Sequence, residues 1–343
     1  MNKCMNAVDL FAGCGGLSEG LRQAGFSVRA AIEINPDAVT AYKMNHPNTV
    51  MLDKDIRNIS ADEIKQACSN DTIHLLAGCP PCQSFSSMRR LNRAAAARDS
   101  RNDLVLEYLR LVRQLHPLTI MMENVPALRT YYRFRYVVNE LNKLGYMLKV
   151  QVVNVCGYGV PQNRKRLVMV GSLLGELNIA APTGEKITVR DAIGGVEPVS
   201  RTQDPIHRIY PRHTPDVLER IKLIPKDGGS RKDLPQCYFL RCHKRKNVGF
   251  NDVYGRLKWD TYSSTITGGC LNPSKGRFLH PTKNRCITAR EAALLQSFPR
   301  TYQFPSNISK SSLALLIGNA LPPKFSFYQA REIYKHIRDS LLI

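Results

Sequence analysis

The sequence predicts an α/β protein in which a mainly parallel sheet, covered by helices on both faces, is interrupted by a smaller, loop-rich, β-containing insertion. Three observations carry that expectation. Apolar, β-rich runs alternate with helical patterns through the first half of the 343 residues, the order that wraps helices around parallel strands. From about Leu174 the pattern breaks into short, poorly periodic pieces rich in Pro, Gly, Lys and Arg. Helical periodicity then returns at ITAREAALLQSF and continues through SSLALLIGNA and PPKFSFYQAREIYKHI. At about 150 residues per domain the length suggests roughly two domains, read here as 1–174 plus 287–343 and an inserted 175–286.

Element by element, the strand candidates are Ala7 to Phe11, Val28 to Ile32, Ile73 to Ala77, Leu118 to Met122, Leu148 to Val153 and Arg166 to Val170. Helical spacing fits between them at Leu17 to Ala24, Asp37 to Asn45, Ala61 to Cys68, Asp103 to Leu115 and Phe134 to Leu144. The insertion holds pieces such as DVYGRLKW and SSTITGG, and no internal repeat or low-complexity tract is visible. In sheets of this kind ligands bind outside the carboxyl ends of the strands. The residues just after each strand are therefore the first to read for chemistry.

Composition narrows the class. Hydrophobic residues make up 43% and charged residues 22%, an ordinary globular balance. No apolar run approaches the ~20 residues that span a bilayer, and MNKCMNAVDLFAG lacks a signal-peptide pattern. A soluble, cytoplasmic, nucleoid-associated protein with no membrane partner is expected. The net charge of +21 fits a polyanionic partner, although a solvated basic surface would account for the charge taken alone. Basic residues concentrate in RRLNRAAAARDSR and RCHKRK, both expected to be loops. The ten cysteines are irregularly spaced and expected to be reduced. Cys79 and Cys82 have no second CxxC to complete a zinc site, and Cys237, Cys242 and His243 lack a fourth ligand, so no metal is expected.

The segment VDLFAGCGGLSEG follows a strand and opens a helix, and Gly13, Gly15 and Gly16 permit a tight turn with close approach to a ligand. Glu33 ends the next strand, where a carboxylate can hold ribose hydroxyls, and Asp55 ends the following one, where it can accept from an adenine amino group. The turn matches neither G-x-G-x-x-G nor a phosphate loop, so a nucleoside without phosphates fits. In LLAGCPPCQSFSS a strand ends at Gly78 and two prolines stiffen the chain before Cys82. A buried thiol or a redox pair is the plainer reading of Cys82. The polar run Gln83, Ser84, Ser86 and Ser87 stands against burial, and prolines without N–H groups stand against a redox pair. Glu123, in MMENVPAL, ends another strand at the same rim. A thiolate and a carboxyl group so placed suit addition to a pyrimidine, with attack at C6, an acid at N3 and an electron-rich C5 that accepts a methyl group.

Those residues resemble the DNA cytosine-5 methyltransferase family. DLFAGCGG is similar to its cofactor motif, GCPPCQSFS to its catalytic loop and ENV to its glutamate motif. GVPQNRKR resembles its Gln-x-Arg-x-Arg motif, REAALLQSFP the motif that closes the recognition domain, and GNALPP the last cofactor motif. All six occur in the family's order across nearly the whole chain. The resemblance implies an S-adenosyl-methionine-dependent methyltransferase fold of Rossmann-like type, with residues 1–174 plus 287–343 as the catalytic and cofactor-binding domain. It makes 175–286 the target recognition domain.

Roles follow from the resemblance position by position. Cys82 would bond covalently to cytosine C6, Glu123 would contact N3 and the exocyclic amine, and Arg164 would act at the carbonyl side. Gln162 and Arg166 belong to the same catalytic set, with Arg166 organising the site or, equally, serving a purely structural or phosphate-binding role. Phe11, Gly13, Cys14, Gly16, Glu33, Ile34, Asp55, Ile56, Pro80, Pro81, Leu104, Asn319 and Ala320 would line the site for S-adenosyl-L-methionine, released as S-adenosyl-L-homocysteine. Ile34 departs from the aromatic residue many members carry beside the adenine. Gln83, Ser84, Ser87, Met88, Arg89 and Arg90 would meet DNA from a loop that closes over it, with Ser87 or Met88 filling the space of a flipped base.

Arg231, Arg241, Lys244, Arg245 and Arg256 are the base- or phosphate-contacting candidates of the recognition domain, and Thr265 with Ile266 resembles a Thr-aliphatic element near the target base. The expected partner is double-stranded DNA, in a prokaryotic type II modification enzyme of monomeric form. A cognate restriction endonuclease would be a functional partner only, and an orphan role is the alternative. Two further readings remain: a transfer-RNA cytosine-5 methyltransferase with the same chemistry, and a catalytically inactive DNA-binding protein. The long recognition segment favours duplex DNA over the first, and intact Cys82, Glu123 and Arg164 stand against the second.

Overall fold

The computed structural model describes residues 5–81, 103–240 and 252–342. It divides into two compact units: Met1–Tyr158 with Lys165–Thr183 and Leu321–Ile343, and Gly159–Arg164 with Gly184–Ala320.

The first unit is built on a seven-stranded sheet of order β3-β2-β1-β4-β5-β7-β6. Its strands are β1 (Met5–Leu10), β2 (Phe26–Ile32), β3 (Val50–Leu52), β4 (Leu75–Gly78), β5 (Thr119–Asn124), β6 (Met147–Asn154) and β7 (Lys165–Ser172). β3 through β5 pair in parallel, whereas β7 runs antiparallel to both β5 and β6. The reversal has a local cause. The helices α1 (Gly16–Gln23), α2 (Pro36–Asn45), α3 (Ala61–Ala67), α4 (Leu104–Leu115) and α5 (Tyr132–Lys143) return the chain for parallel pairing, but only a short 3-10 turn, Val155–Tyr158, stands among the elements between β6 and β7.

Central strands β1, β4 and β5 are buried along their whole length, as expected where helices cover both faces. Sequence signals set the helix starts: Asn35 caps α2 ahead of Pro36, and Ser60 with Glu63 forms a capping box on α3. Tyr108 of α4 is fully buried, and its hydroxyl serves Leu76 O at 3.2 Å and Met121 O at 3.0 Å. One side chain thus ties the helix to β4 and β5 while satisfying its own polar atom.

The second unit carries α6 (Val189–Ile193), α7 (Pro215–Leu223), α8 (Ala289–Leu295) and α9 (Lys310–Asn319). Ile221, Ile224, Leu234, Tyr254, Leu279 and Cys286 form a core of its own. Its β structure among the described residues consists of the isolated bridges Gln162↔Ser263, Arg256↔Leu279 and Leu279↔Cys286. The helices α8 and α9 group with this unit rather than with the sheet. The last helix, α10 (Pro323–Leu341), returns to the first unit. A Cβ on Gly20 would meet Ser326 Cβ at 2.4 Å and Phe327 N at 2.5 Å, so α1 and α10 touch backbone to backbone where Gly20 stands.

Candidate active site

In the first unit, residue groups stand at or just after the carboxyl ends of the five parallel strands β1 to β5. After β1 the chain turns sharply: Phe11, Gly13 and Gly15 have φ values of 63°, 56° and 92°. Gly13 faces open space, with no atom within 4 Å of where a Cβ would sit, and its N–H donates to Glu33 Oε2 at 2.8 Å. The other Glu33 oxygen accepts from the Ile34 and Asn35 N–H groups at 2.9 and 2.8 Å. Three backbone donors therefore aim this carboxylate before any ligand arrives. Next to it Ile34 is 62% exposed, an apolar surface beside a polar anchor. Asp55, after β3, caps the turn Ile56–Asn58 and is held by Arg57 Nε at 3.0 Å and Nη2 at 2.6 Å. The Arg57 hydrogen bond keeps the Asp55 carboxyl below its ordinary range.

Behind this rim the walls are buried. Ile56 and Leu104 belong to the main core, and Gly16 and Pro80 are buried while Pro81 is partly so. Burial pushes the Cys14 thiol up to about 12, which makes it a wall and no nucleophile. Asp9 lies beneath the glycine turn, fully buried, and accepts from Ser18 Oγ at 2.6 Å. Ser18 Oγ also lies 2.7 Å from Tyr42 OH. Burial first, and then the charge of Glu33, raises the Asp9 carboxyl to about 7. A nucleoside with a hydroxyl-bearing sugar fits these donors and acceptors: open space at Gly13, a fixed carboxylate at Glu33 and an apolar plate at Ile34.

The other side of the rim is formed by β4 and β5. The turn Cys79–Pro81 is clamped at both ends, Cys79 N to Leu10 O at 3.2 Å and Pro80 O to Asn124 Nδ2 at 2.8 Å. Glu123, 7% exposed at the end of β5, lies with Oε1 2.6 Å from Arg166 Nε of β7. The contact is one of charge rather than an aligned hydrogen bond, since that oxygen has no partner of hydrogen-bond geometry. Burial, followed by the Glu123 charge, holds the Cys79 thiol well above its ordinary range. Cys82, Gln83, Ser84, Ser87, Met88, Arg89 and Arg90 lie outside the described residues, as do Arg241, Lys244 and Arg245.

The remaining motif residues fall in the second unit. Gln162 is buried, donating to Gln296 Oε1 at 2.6 Å and Leu295 O at 3.3 Å and accepting from Ile266 N at 2.8 Å. Arg164 is also buried, and its Nη1 donates to Ile266 O at 2.8 Å and Gly318 O at 3.1 Å. Both side chains thus hold the Thr-aliphatic element, whose Thr265 hydroxyl donates to Asn163 O at 2.9 Å. Asn319 is exposed directly after Gly318, and Ala320 is buried.

Two residues that sequence reading passed over complete this node. Gln296 Nε2 reaches Ile317 O at 2.6 Å, and a Cβ on Gly318 would lie 2.0 Å from the Thr267 carbonyl carbon. Their motifs were visible as LLQSFP and GNALPP, but no local pattern shows which distant carbonyl a glutamine will meet. Arg256 corrects an expectation. Expected to contact DNA, it is fully buried and makes five hydrogen bonds, to the carbonyls of Ile221, Ile224, His280 and Lys283 and to Asn284 Oδ1. Its role is to close this core. Arg231 is likewise buried.

Strand order, the glycine turn and the acidic strand ends define the S-adenosyl-methionine-dependent methyltransferase class. The family model described as C-5 cytosine-specific DNA methylase matches residues 5–335. The chain is 35% identical to the type II methylase M.HgiDII of Herpetosiphon aurantiacus, covering 96% of this chain and 95% of that one. It is 31% identical to the type II methyltransferase M1.HphI of Haemophilus parahaemolyticus, over 97% and 88% of the two chains. A crystal structure of an Escherichia coli DNA modification methyltransferase encoded within a prophage superposes with a TM-score of 0.74 at 25% identity, over 97% and 99% of the chains. The chain belongs to the C-5 cytosine-specific DNA methylase family and is an enzyme of the DNA (cytosine-5-)-methyltransferase class. No helix among the described residues is long and apolar enough to cross a membrane. No group of three or more His, Cys, Asp or Glu among them is placed to hold a metal ion.

Proposed function

We propose that this enzyme methylates carbon 5 of a flipped-out cytosine within one short sequence of double-stranded DNA, with Cys82 as nucleophile. The observation that carries the reading is the pairing of the buried Glu123, at the end of β5, with the half-buried Arg166, beside the clamped turn that leads to Cys82. Gly13, Glu33, Ile34 and Asp55 would hold the cofactor through the groups described above, and Asn319 and Ala320 enter on their motif alone. S-adenosyl-methionine, when bound, supplies the electrophilic methyl group and leaves as S-adenosyl-homocysteine.

The chain's own residues account for the rest. The Cys82 thiolate forms a bond to C6, and the C5–C6 π electrons move onto C5, with Glu123 hydrogen-bonded at N3 to hold the ring. After C5 has taken the methyl group, loss of the C5 proton to water returns the C–H electron pair to the C5–C6 double bond and expels Cys82 as the thiolate. Arg166 fixes the Glu123 carboxyl group for that contact. Gln162 and Arg164 act by positioning Thr265 and Ile266, which the same reading puts near the target base. An acid or base so placed contributes about 10²–10⁴ in rate.

The type II names of the relatives support a role in restriction–modification, with a cognate endonuclease as functional partner, and a monomer suffices for it. The test is base-resolution 5-methylcytosine sequencing of DNA from a methylation-free bacterial host expressing the protein beside Cys82→Ala. Methylation in one short context, absent from the variant, is expected. Methylated transfer RNA with unmodified DNA would overturn the proposal.

A further inference from the structure

The turn Pro126–Thr130 and helix α5 follow Glu123 directly and present a face the reaction does not use. Phe134, Val137 and Leu141 bury one side of α5. Residues three and four apart share a helix face, so Tyr132, Arg135 and Tyr136 form a second face turned from the core. Both tyrosines are large and exposed, at 61% and 49%, and Arg129 and Arg135 are exposed beside them. The Arg133 guanidinium pairs with Asp103 and stacks 5.5 Å from the Tyr132 ring centre. Its Nε donates to Tyr132 OH at 2.8 Å, which leaves the tyrosine's own proton for an outside acceptor. The first turn of α5 carries no acidic residue. Among the described residues neither Arg129 nor Arg135 has a carboxylate partner; Arg135 Nη2 only touches Thr130 O at 3.3 Å.

We infer that this face is a second contact surface for duplex DNA, gripping the sugar-phosphate backbone of the flank beside the target base. The inference rests on the proposed DNA substrate and adds a site to it. Arginine and tyrosine side chains are among the groups that position proteins on phosphates without reading sequence. The face starts at the carboxyl end of the strand that carries Glu123, so a duplex delivering a base to that rim brings its backbone past it. Arg129 and Arg135, without a carboxylate partner among the described residues, together with the exposed Tyr132 and Tyr136, complement that polyanion, whereas a protein partner would call for an apolar centre.

The contact is sequence-independent, so a labelled mixed-sequence duplex of about 30 base pairs serves as probe, with binding followed by anisotropy across a salt series. Each phosphate contact adds about 0.9 to the slope of log affinity against log salt. The double variant Arg129→Gln/Arg135→Gln should therefore lower the slope by about 1.8. Between roughly 50 and 200 mM salt, the wild type should then lose about tenfold more affinity than the variant. Arg129→Lys/Arg135→Lys keeps the charges and should keep the slope. An unchanged slope in the glutamine variant overturns the surface, and so does an equal loss in both variants, which would mark a merely structural effect. If the wild type methylates DNA in the sequencing experiment while the slopes are equal, only the surface falls. If it binds duplex RNA and not this DNA, the surface and the DNA reading fall together.

Discussion

Replacing Arg256 with alanine separates a scaffold from a DNA contact. The guanidinium is fully enclosed and bonded to four backbone carbonyls and the Asn284 side chain. Those carbonyls belong to α7 and its C-terminal end, at Ile221 and Ile224, and to the 280–283 turn. Hydrogen bonds to a charged group are worth about 1.5–3 kcal/mol each, but the full sum would overshoot because water can enter the vacated space. Buried acceptors left without a donor cost about 1–3 kcal/mol each where water does not reach them, so a net loss of about 3–5 kcal/mol is expected. At about 2–4 °C per kcal/mol for a domain of this size, the apparent Tm should fall by roughly 10 °C. Differential scanning calorimetry reads the loss, and a salt series on DNA binding reads the alternative. A variant that melts within about 1 kcal/mol of wild type while its salt slope drops by about 0.9 would refute the scaffold argument and return Arg256 to the phosphate-contacting set.

Three further outcomes are expected. Glu123→Gln keeps the shape of the side chain but leaves the Arg166 guanidinium without its anion, and single-turnover rates should fall about 10²–10⁴ at unchanged DNA affinity; normal turnover would remove the acid contact. Gly13→Ala puts a methyl group into the open space beside Glu33 at a φ of 56°, costing about 1–2 kcal/mol. Affinity for S-adenosyl-homocysteine should fall about tenfold by calorimetric titration, and equal affinity would take Gly13 out of the site.

The Asp9 carboxyl, facing Ser18, Tyr42, Glu33 and Cys79, has its folded-state pKa raised to about 7 from 3.8. Between those values the folded protein holds a proton the unfolded chain has lost, so stability declines as pH rises through that window and levels off above the folded pKa. Asp9→Asn should flatten the decline and raise Tm at pH values above about 7, by an amount on the order of a few kcal/mol in stability. Parallel Tm–pH curves for the two proteins would contradict that account.

Much of the first unit could be read in the chain because its signals are local. Apolar runs with flanking turns located six of the seven strands within a few residues, and β3 escaped a named span because three residues are too few for a period. The carboxylates Glu33 and Glu123 were legible since each closes an apolar run, whereas Asp55 follows β3 after Asp53 and Lys54 and caps the next turn. Tertiary structure decided what depends on partners far along the chain. The antiparallel entry of β7 between β5 and β6 follows from a missing crossover helix, and α10 rejoins the sheet's unit because Gly20 admits Ser326. The resemblance implied that Arg256, in the recognition segment, would face DNA; carbonyls 24 to 35 residues away converge to bury it. Gln162 and Gln296 meet across 134 positions for the same reason. Periodicity reports which face of an element is apolar, whereas the fate of a buried polar group is set by whichever distant backbone atoms the fold brings to it.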